Sequence, residues 1–137
     1  MSNLINLLDT YKGEKRELYP LTPSQMGVYL SCMHNPKGTM YNIPCTYVFD
    51  SGSLDTDRLI NAVRKAVDNH PVMKIFIDSS TGSPMMKPRD SVDFDIPVVQ
   101  VDNLEQAGKD FVKPFDLEKD ILFRFAVFEC GDKSMFA

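Results

Sequence analysis

Only two histidines, His34 and His70, occur in the 137 residues, and neither sits in a catalytic or metal-binding pattern. The chain has no GxSxG elbow, no phosphate-binding Walker A loop, no GxGxxG fingerprint and no HExxH pair. Those absences exclude the common self-contained hydrolase, nucleotide and zinc-protease sites. Cysteine is scarce as well. Cys32, Cys45 and Cys130 are widely spaced and form no CxxC pair, and no histidine stands at a zinc spacing. They read as three buried or half-buried free thiols of a reducing cytoplasm, and no metal site is expected. No apolar run approaches the ~20 residues that a membrane span needs. The first eight residues lack the basic start of a secretory signal. Basic residues form no stripe: Lys12, Lys15 and Arg16 are the densest group, and Glu14 and Glu17 interrupt it. With a net charge of −4, neither nucleic-acid binding nor membrane association is expected.

What is present is an ordinary globular composition, 43% hydrophobic and 25% charged, enough for one domain with a core. Residues 1–17 read as an N-terminal tail or linker, and 18–137 as one folded unit. Thr22-Pro23-Ser24-Gln25 is a helix start with a capping hydroxyl, a proline at the first helical position and a glutamine that can reach back. Met26, Tyr29, Leu30 and Met33 then share one face, and Asn35-Pro36-Lys37-Gly38 ends the helix. Residues 43–49 alternate like a strand. Asp55 or Thr56 caps a second helix with Leu59, Ile60, Val63, Ala66 and Val67 inward, which stops before Pro71. Strands are expected over 72–77, 85–87 (a hairpin return) and 96–101. Asp102 or Asn103 opens a third helix with Leu104, Ala107 and Phe111 inward. Residues 121–130 read as one long strand, apolar on both faces and hence central. A turn at Gly131-Asp132-Lys133 and a last strand from Ser134 follow. A strand begun only four residues before Ala137 points to a truncated chain. The order of elements makes the class α+β or mixed α/β, with helices against one sheet, and α+β is the class expected.

The candidate functional residues are few. His70 stands at the end of the second helix, where an imidazole bonds a terminal carbonyl or complements the helix dipole. His34 reads as an exposed turn residue. Asp93 and Asp95 read as a solvated edge, and Met85-Met86 as core filling. Arg124 interrupts an otherwise apolar stretch. Burying a guanidinium costs several kcal/mol unless it is paired, so Arg124 takes a carboxylate, faces a cleft, or snorkels from a strand edge to water.

Three segments carry a resemblance. Tyr19-Pro20-Leu21-Thr22-Pro23-Ser24-Gln25-Met26-Gly27-Val28-Tyr29, with Tyr41-Asn42-Ile43-Pro44 after it, resembles the first core motif of non-ribosomal peptide synthetase condensation domains. Asn69-His70-Pro71-Val72-Met73-Lys74-Ile75-Phe76 resembles their second motif, written Arg-His-x-x-Leu-Arg-x-x-Phe. Pro114-Phe115-Asp116-Leu117, with Ile121-Leu122-Phe123-Arg124 following, is similar to the family's Pro-Phe-Asp-Leu segment and its next strand. The resemblance implies a chloramphenicol-acetyltransferase-like two-layer sandwich, here incomplete, with a mixed sheet and about three helices. It implies the transfer of aminoacyl or peptidyl groups between phosphopantetheine thioesters, with no cofactor bound by the chain itself. The implied partners are donor and acceptor peptidyl carrier domains, the C-terminal half of the condensation domain and an adenylation domain in the same parent chain. The family's catalytic His-His-x-x-x-Asp-Gly lies beyond Ala137, so no catalytic residue carries over. Arg124, Gln25 and His70 remain as supports of the active site, and the resemblance offers Arg124 the aspartate of that later motif as partner. Asn69 and Met73-Lys74 depart from the usual Arg and Leu-Arg, a pattern that supports the active-site architecture in the family. Epimerisation, heterocyclisation, stand-alone acyl transfer and a non-catalytic carrier-binding domain are alternatives on the same fold.

Overall fold

The computed structural model describes residues 18–50 and 52–137. Residues 1–17, read above as a tail or linker, lie outside the described residues. Along the chain run β1 (Tyr19–Pro20), α1 (Pro23–His34), β2 (Tyr47–Asp50), α2 (Thr56–Asn69), a 3-10 turn (Pro71–Lys74), β3 (Ile75–Asp78), β4 (Met85–Pro88), β5 (Val98–Gln100), α3 (Leu104–Phe111), β6 (Val127–Cys130) and β7 (Lys133–Phe136). Among the described residues this is the α+β class with three helices that the sequence predicts. The strands form two sheets where one was expected. A three-stranded sheet has the order β1-β4-β3, and a four-stranded sheet the order β2-β7-β6-β5. In the second, β5 and β6 are parallel and joined through α3, while the other pairs are antiparallel, so the sheet is mixed.

The helix starts are built as their sequences dictate. The Thr22 hydroxyl accepts from the Gln25 N–H at 3.3 Å, and the Thr22 N–H donates back to Gln25 Oε1 at 2.9 Å, a complete capping box. Asp55 caps α2 through the Arg58 N–H, and Asn103 caps α3 through the Gln106 N–H, each at 2.9 Å. The two-residue loop Gly131-Asp132 closes β6 onto β7. Gly131 has φ +57 and, among the described residues, no non-glycine residue has positive φ, the pattern of a type II′ turn.

The strand ends differ from expectation for identifiable reasons. The strand predicted over 72–77 begins only at Ile75, because Pro71 opens a 3-10 turn closed by Met73 N–H to His70 O at 3.0 Å. Residues 43–46 stay outside the ladder of β2, where Pro44 has no N–H to offer. The long strand expected over 121–130 is regular only over Val127–Cys130, extended by a reciprocal Ala126–Ala137 pair. The apolar character of residues 121–125 reflects ring packing, not a ladder. Phe94 meets Phe123 edge-on at 5.1 Å, and Phe125 stacks on Phe136 at 5.8 Å. The central position expected of this strand holds for β6, which lies between β7 and β5.

Ala126, Phe128, Met135 and Ala137 alternate onto one face of the four-stranded sheet and form its core with Val101, Leu104, Ala107 and Phe111. The last three are the α3 residues predicted to point inward. Phe111 and Phe128 meet edge-on at 5.6 Å. A methyl added at Gly108 would lie 3.5 Å from Met135, so α3 sits close to the sheet. Val127 and Phe136 pair across the strands on the opposite face, which the Phe94–Phe123–Phe125 group covers. There Arg64 of α2 stacks over Phe94 at 5.2 Å and donates to its carbonyl at 3.2 Å.

Two helical faces are less buried than their spacing suggests. Tyr29 of α1 is buried, but Leu30 is 58% and Met33 48% exposed. Val67 of α2 is fully buried while Ala66 is exposed. Apolar periodicity records which residues share a face, and only the packed neighbours decide how much of that face is covered.

Candidate functional site

The segments singled out in sequence converge. An apolar groove of about 550 Å³ runs between α1, the 41–47 segment, the end of α3 and residues 115–125. Val28, Tyr41, Phe115, Leu122 and Arg124 are among the residues that line it. Cys32 and Cys45 also line it. Cys45 is exposed rather than buried as expected, because residues 43–46 lie outside the sheet, whereas Cys32 and Cys130 are half-buried.

Arg124 is half-buried beside this groove. Its Nη1 donates to Lys113 O at 2.7 Å and its Nη2 to Pro114 O at 3.2 Å. The guanidinium carbon sits 4.0 Å over the centre of the Phe115 ring. Among the described residues it forms no ion pair with a carboxylate. The half-buried cation is instead met by two carbonyl dipoles just beyond the C-terminus of α3 and by a ring face. Asn42 Nδ2 donates to the same Lys113 O at 2.8 Å. A single carbonyl therefore joins the Tyr41–Pro44 segment to the Pro-Phe-Asp-Leu segment.

A second junction lies on α1. Tyr29 donates its hydroxyl proton to Glu118 Oε1 at 2.8 Å, and Ser79, in the β3–β4 loop, donates to the same oxygen at 2.6 Å. Each hydroxyl carries one proton, so the 3.1 Å approach of the two hydroxyl oxygens follows from their shared acceptor. These bonds, Ser79's first and Tyr29's second, hold Glu118 below the ordinary carboxylate range, against partial desolvation and the nearby Asp116. Asp116 is itself lowered, mainly by Lys119 at 3.0 Å and then by the Glu118 N–H. Asp116 and Asp120 also close the 114–120 turn on itself, through Asp116 N–H to Asp120 Oδ2 at 2.8 Å. Sequence reasoning missed both Glu118 and Asn42. The only available signal for Asn42 was its place in the Tyr41–Pro44 motif, and Glu118 had none.

The other predicted residues stand apart from the groove. Gln25 is exposed, completes the α1 capping box and places its Nε2 3.7 Å from the Met86 sulfur. His70 is exposed at the end of α2 with Nδ1 2.7 Å from Ala66 O. A carbonyl only accepts, so that nitrogen carries the proton. His34 is the exposed last residue of α1, and Asp93 and Asp95 are exposed outside any strand. At the divergent second motif, Lys74 donates to Asp68 O at 3.0 Å and Asp90 O at 3.1 Å, and Asn69 to Lys65 O at 2.9 Å. Carbonyl contacts thus tie the end of α2 to the segment after β4. No group of His, Cys, Asp and Glu able to hold a metal occurs among the described residues, nor does a helix long and apolar enough to cross a membrane. Chemically, the groove offers an apolar surface, one fixed cation and backbone dipoles; its lining includes no histidine or carboxylate.

Residues 15–137 match the family described as Condensation domain. The chain is 32% identical over 124 residues to bacitracin synthase 3 of Bacillus licheniformis, which covers 89% of this chain and 2% of that protein. It is 31% identical over 117 residues to surfactin synthase subunit 1 of Bacillus subtilis (strain 168), covering 84% of this chain and 3% of that protein. The chain thus spans a small share of the length of these relatives. Among solved structures, the starter condensation domain of the rhizomide synthetase RzmA superposes with a TM-score of 0.75 at 18% identity, over 88% of this chain and 31% of that one. The four-domain non-ribosomal peptide synthetase AB3403 gives 0.77 at 16% identity, over 90% of this chain and 10% of that one. The fold is therefore that of condensation domains over the part covered, and with the family pattern running through all three motif segments, the chain belongs to the condensation-domain family.

Proposed function

We propose that residues 18–137 are the N-terminal portion of a condensation domain whose parent protein forms peptide bonds in non-ribosomal peptide synthesis. The observation that carries the reading is the family match over residues 15–137, within which the motif segments 41–44 and 114–124 meet at one groove. In the proposed reaction an acceptor amine attacks the carbonyl carbon of a donor thioester. The C–N bond forms, the C–S bond breaks, and the proton lost by the amine leaves the phosphopantetheine sulfur as a thiol. Both substrates arrive on phosphopantetheine arms of donor and acceptor carrier domains. The C-terminal half of the domain and an adenylation domain complete the proposed parent machine, which works in the cytoplasm and makes a secondary metabolite of the antibiotic peptide kind.

His34 and His70 are separate and neither belongs to a His-His-x-x-x-Asp-Gly stretch, so the chain by itself supplies no histidine pair for general-base or tetrahedral-intermediate chemistry. The test uses loaded donor and acceptor carriers, with intact-protein mass spectrometry as the readout. The 137-residue chain is expected to give no amide. The parent chain, expressed through the coding sequence after Ala137, is expected to give the dipeptidyl carrier. Amide formation by the 137-residue chain, or a parent sequence without a histidine pair, overturns the proposal.

A further inference from the structure

The Lys113 carbonyl receives two donors at hydrogen-bond distance, Arg124 Nη1 at 2.7 Å and Asn42 Nδ2 at 2.8 Å. A carbonyl oxygen has two lone pairs, so both are engaged. The next residue, Pro114, has no N–H with which to anchor itself. Among the described residues its carbonyl is held by Arg124 Nη2 at 3.2 Å. Phe115, which follows, lies under the guanidinium at 4.0 Å. Three consecutive residues that belong to no helix or strand are thus held by one side chain. Arg124, Asn42 and Phe115 all line the groove.

From this geometry we infer that Arg124 and Asn42 are positioning residues: together they fix the 113–115 backbone as one wall of the groove and lock it to the 41–44 wall. Among the described residues Arg124 does this without a carboxylate partner. Its planar fork supplies two donors to two successive carbonyls while its face covers a ring, an arrangement that an ammonium on a flexible stem cannot reproduce. Asn42 reaches the same oxygen from a point 71 residues away in sequence. The two side chains therefore act on one acceptor, and their effects should not add.

The inference takes the groove to be the substrate-facing surface of the proposed condensation domain. Its test needs no carrier or substrate, so its failure is separable from a failure of the amide assay. Amide hydrogen exchange by mass spectrometry on the 137-residue chain compares wild type with Arg124→Met, Arg124→Lys, Asn42→Ala and the Arg124→Met/Asn42→Ala double variant. Arg124→Met is expected to speed exchange of the 115–118 amides at least tenfold, with the β6 and β7 amides within twofold of wild type. Arg124→Lys is expected to recover less than half of that loss on a logarithmic scale. Asn42→Ala is expected to speed the same amides about threefold, and the double variant to exceed Arg124→Met by less than that factor. Exchange within twofold of wild type at 115–118 in Arg124→Met overturns the inference. So does full recovery by lysine, an equal acceleration of β6 and β7, or multiplicative effects in the double variant. Should Arg124→Met fail to fold, Asn42→Ala decides: no acceleration confined to 115–118 overturns the inference.

Discussion

Replacing Phe128 by alanine tests the claim that the edge-on Phe111–Phe128 contact helps to hold α3 to the sheet. Phe128 lies on β6, between β7 and β5, and is 8% exposed, so more than nine-tenths of the side chain is removed from water. Truncating a buried phenylalanine costs about 3–5 kcal/mol, the lost transfer energy plus the cavity left behind. Of that, about 0.5–1.5 kcal/mol belongs to the edge-on pairing with Phe111 beyond simple burial. For a chain of this size, each kcal/mol moves the midpoint by roughly 3–6 °C, so Tm should fall on the order of 10–30 °C. The chain has five tyrosines and no tryptophan, so tyrosine fluorescence with far-ultraviolet circular dichroism follows urea unfolding. A double-mutant cycle with Phe111→Ala isolates the pair: the two losses should fall short of additive by about 0.5–1.5 kcal/mol. A Phe128→Ala loss below about 1 kcal/mol, or strict additivity in the cycle, would refute the packing argument. In either case α3 would be held by something other than this ring pair.

Two further perturbations test neighbouring features. Gly108→Ala places its methyl 3.5 Å from Met135 and 4.0 Å from Thr46, ordinary contact distances. Removing a glycine from the middle of α3 should therefore raise stability by about 0.5–1 kcal/mol in urea unfolding, and a loss would show that helix and sheet are closer than described. The Glu118 junction predicts a pH dependence. Its folded pKa is lowered, chiefly by Ser79 and then by Tyr29, so its contribution is present above the unfolded value of about 4.3 and is lost as pH falls through the folded value. Tyr29→Phe combined with Ser79→Ala should lower Tm at pH 6–7, and the gap to wild type should narrow as pH falls below about 4. A gap that stays constant down to pH 3 would remove the carboxylate from the explanation.

Much of the local architecture was readable from short stretches. Thr22-Pro23-Ser24-Gln25, Asp55 and Asn103 mark helix starts because a cap needs only a side chain and a backbone N–H within three residues. Leu104, Ala107 and Phe111 were readable as an inward face, and Gly131-Asp132 as a reversal, for the same local reason. The motif segments that carry the family are also contiguous. The candidate site was harder to read. Arg124 stood out because a cation interrupts an apolar run, yet its acceptors did not, since every residue has a carbonyl and only the folded chain selects Lys113 and Pro114.

The amino-acid order alone therefore determined the helices, the hairpin turns and the family, because each depends on interactions or patterns within a few residues. Tertiary structure decided the split into two sheets, the parallel β5–β6 pair, the late starts of the strands after Pro71 and Ala126, and the sharing of one carboxylate by Tyr29 and Ser79. Tyr29 and Glu118 are 89 residues apart, and Asn42 and Lys113 are 71 apart. Which donor meets which acceptor over such distances depends on how the packed elements are stacked, and no short-range preference encodes it.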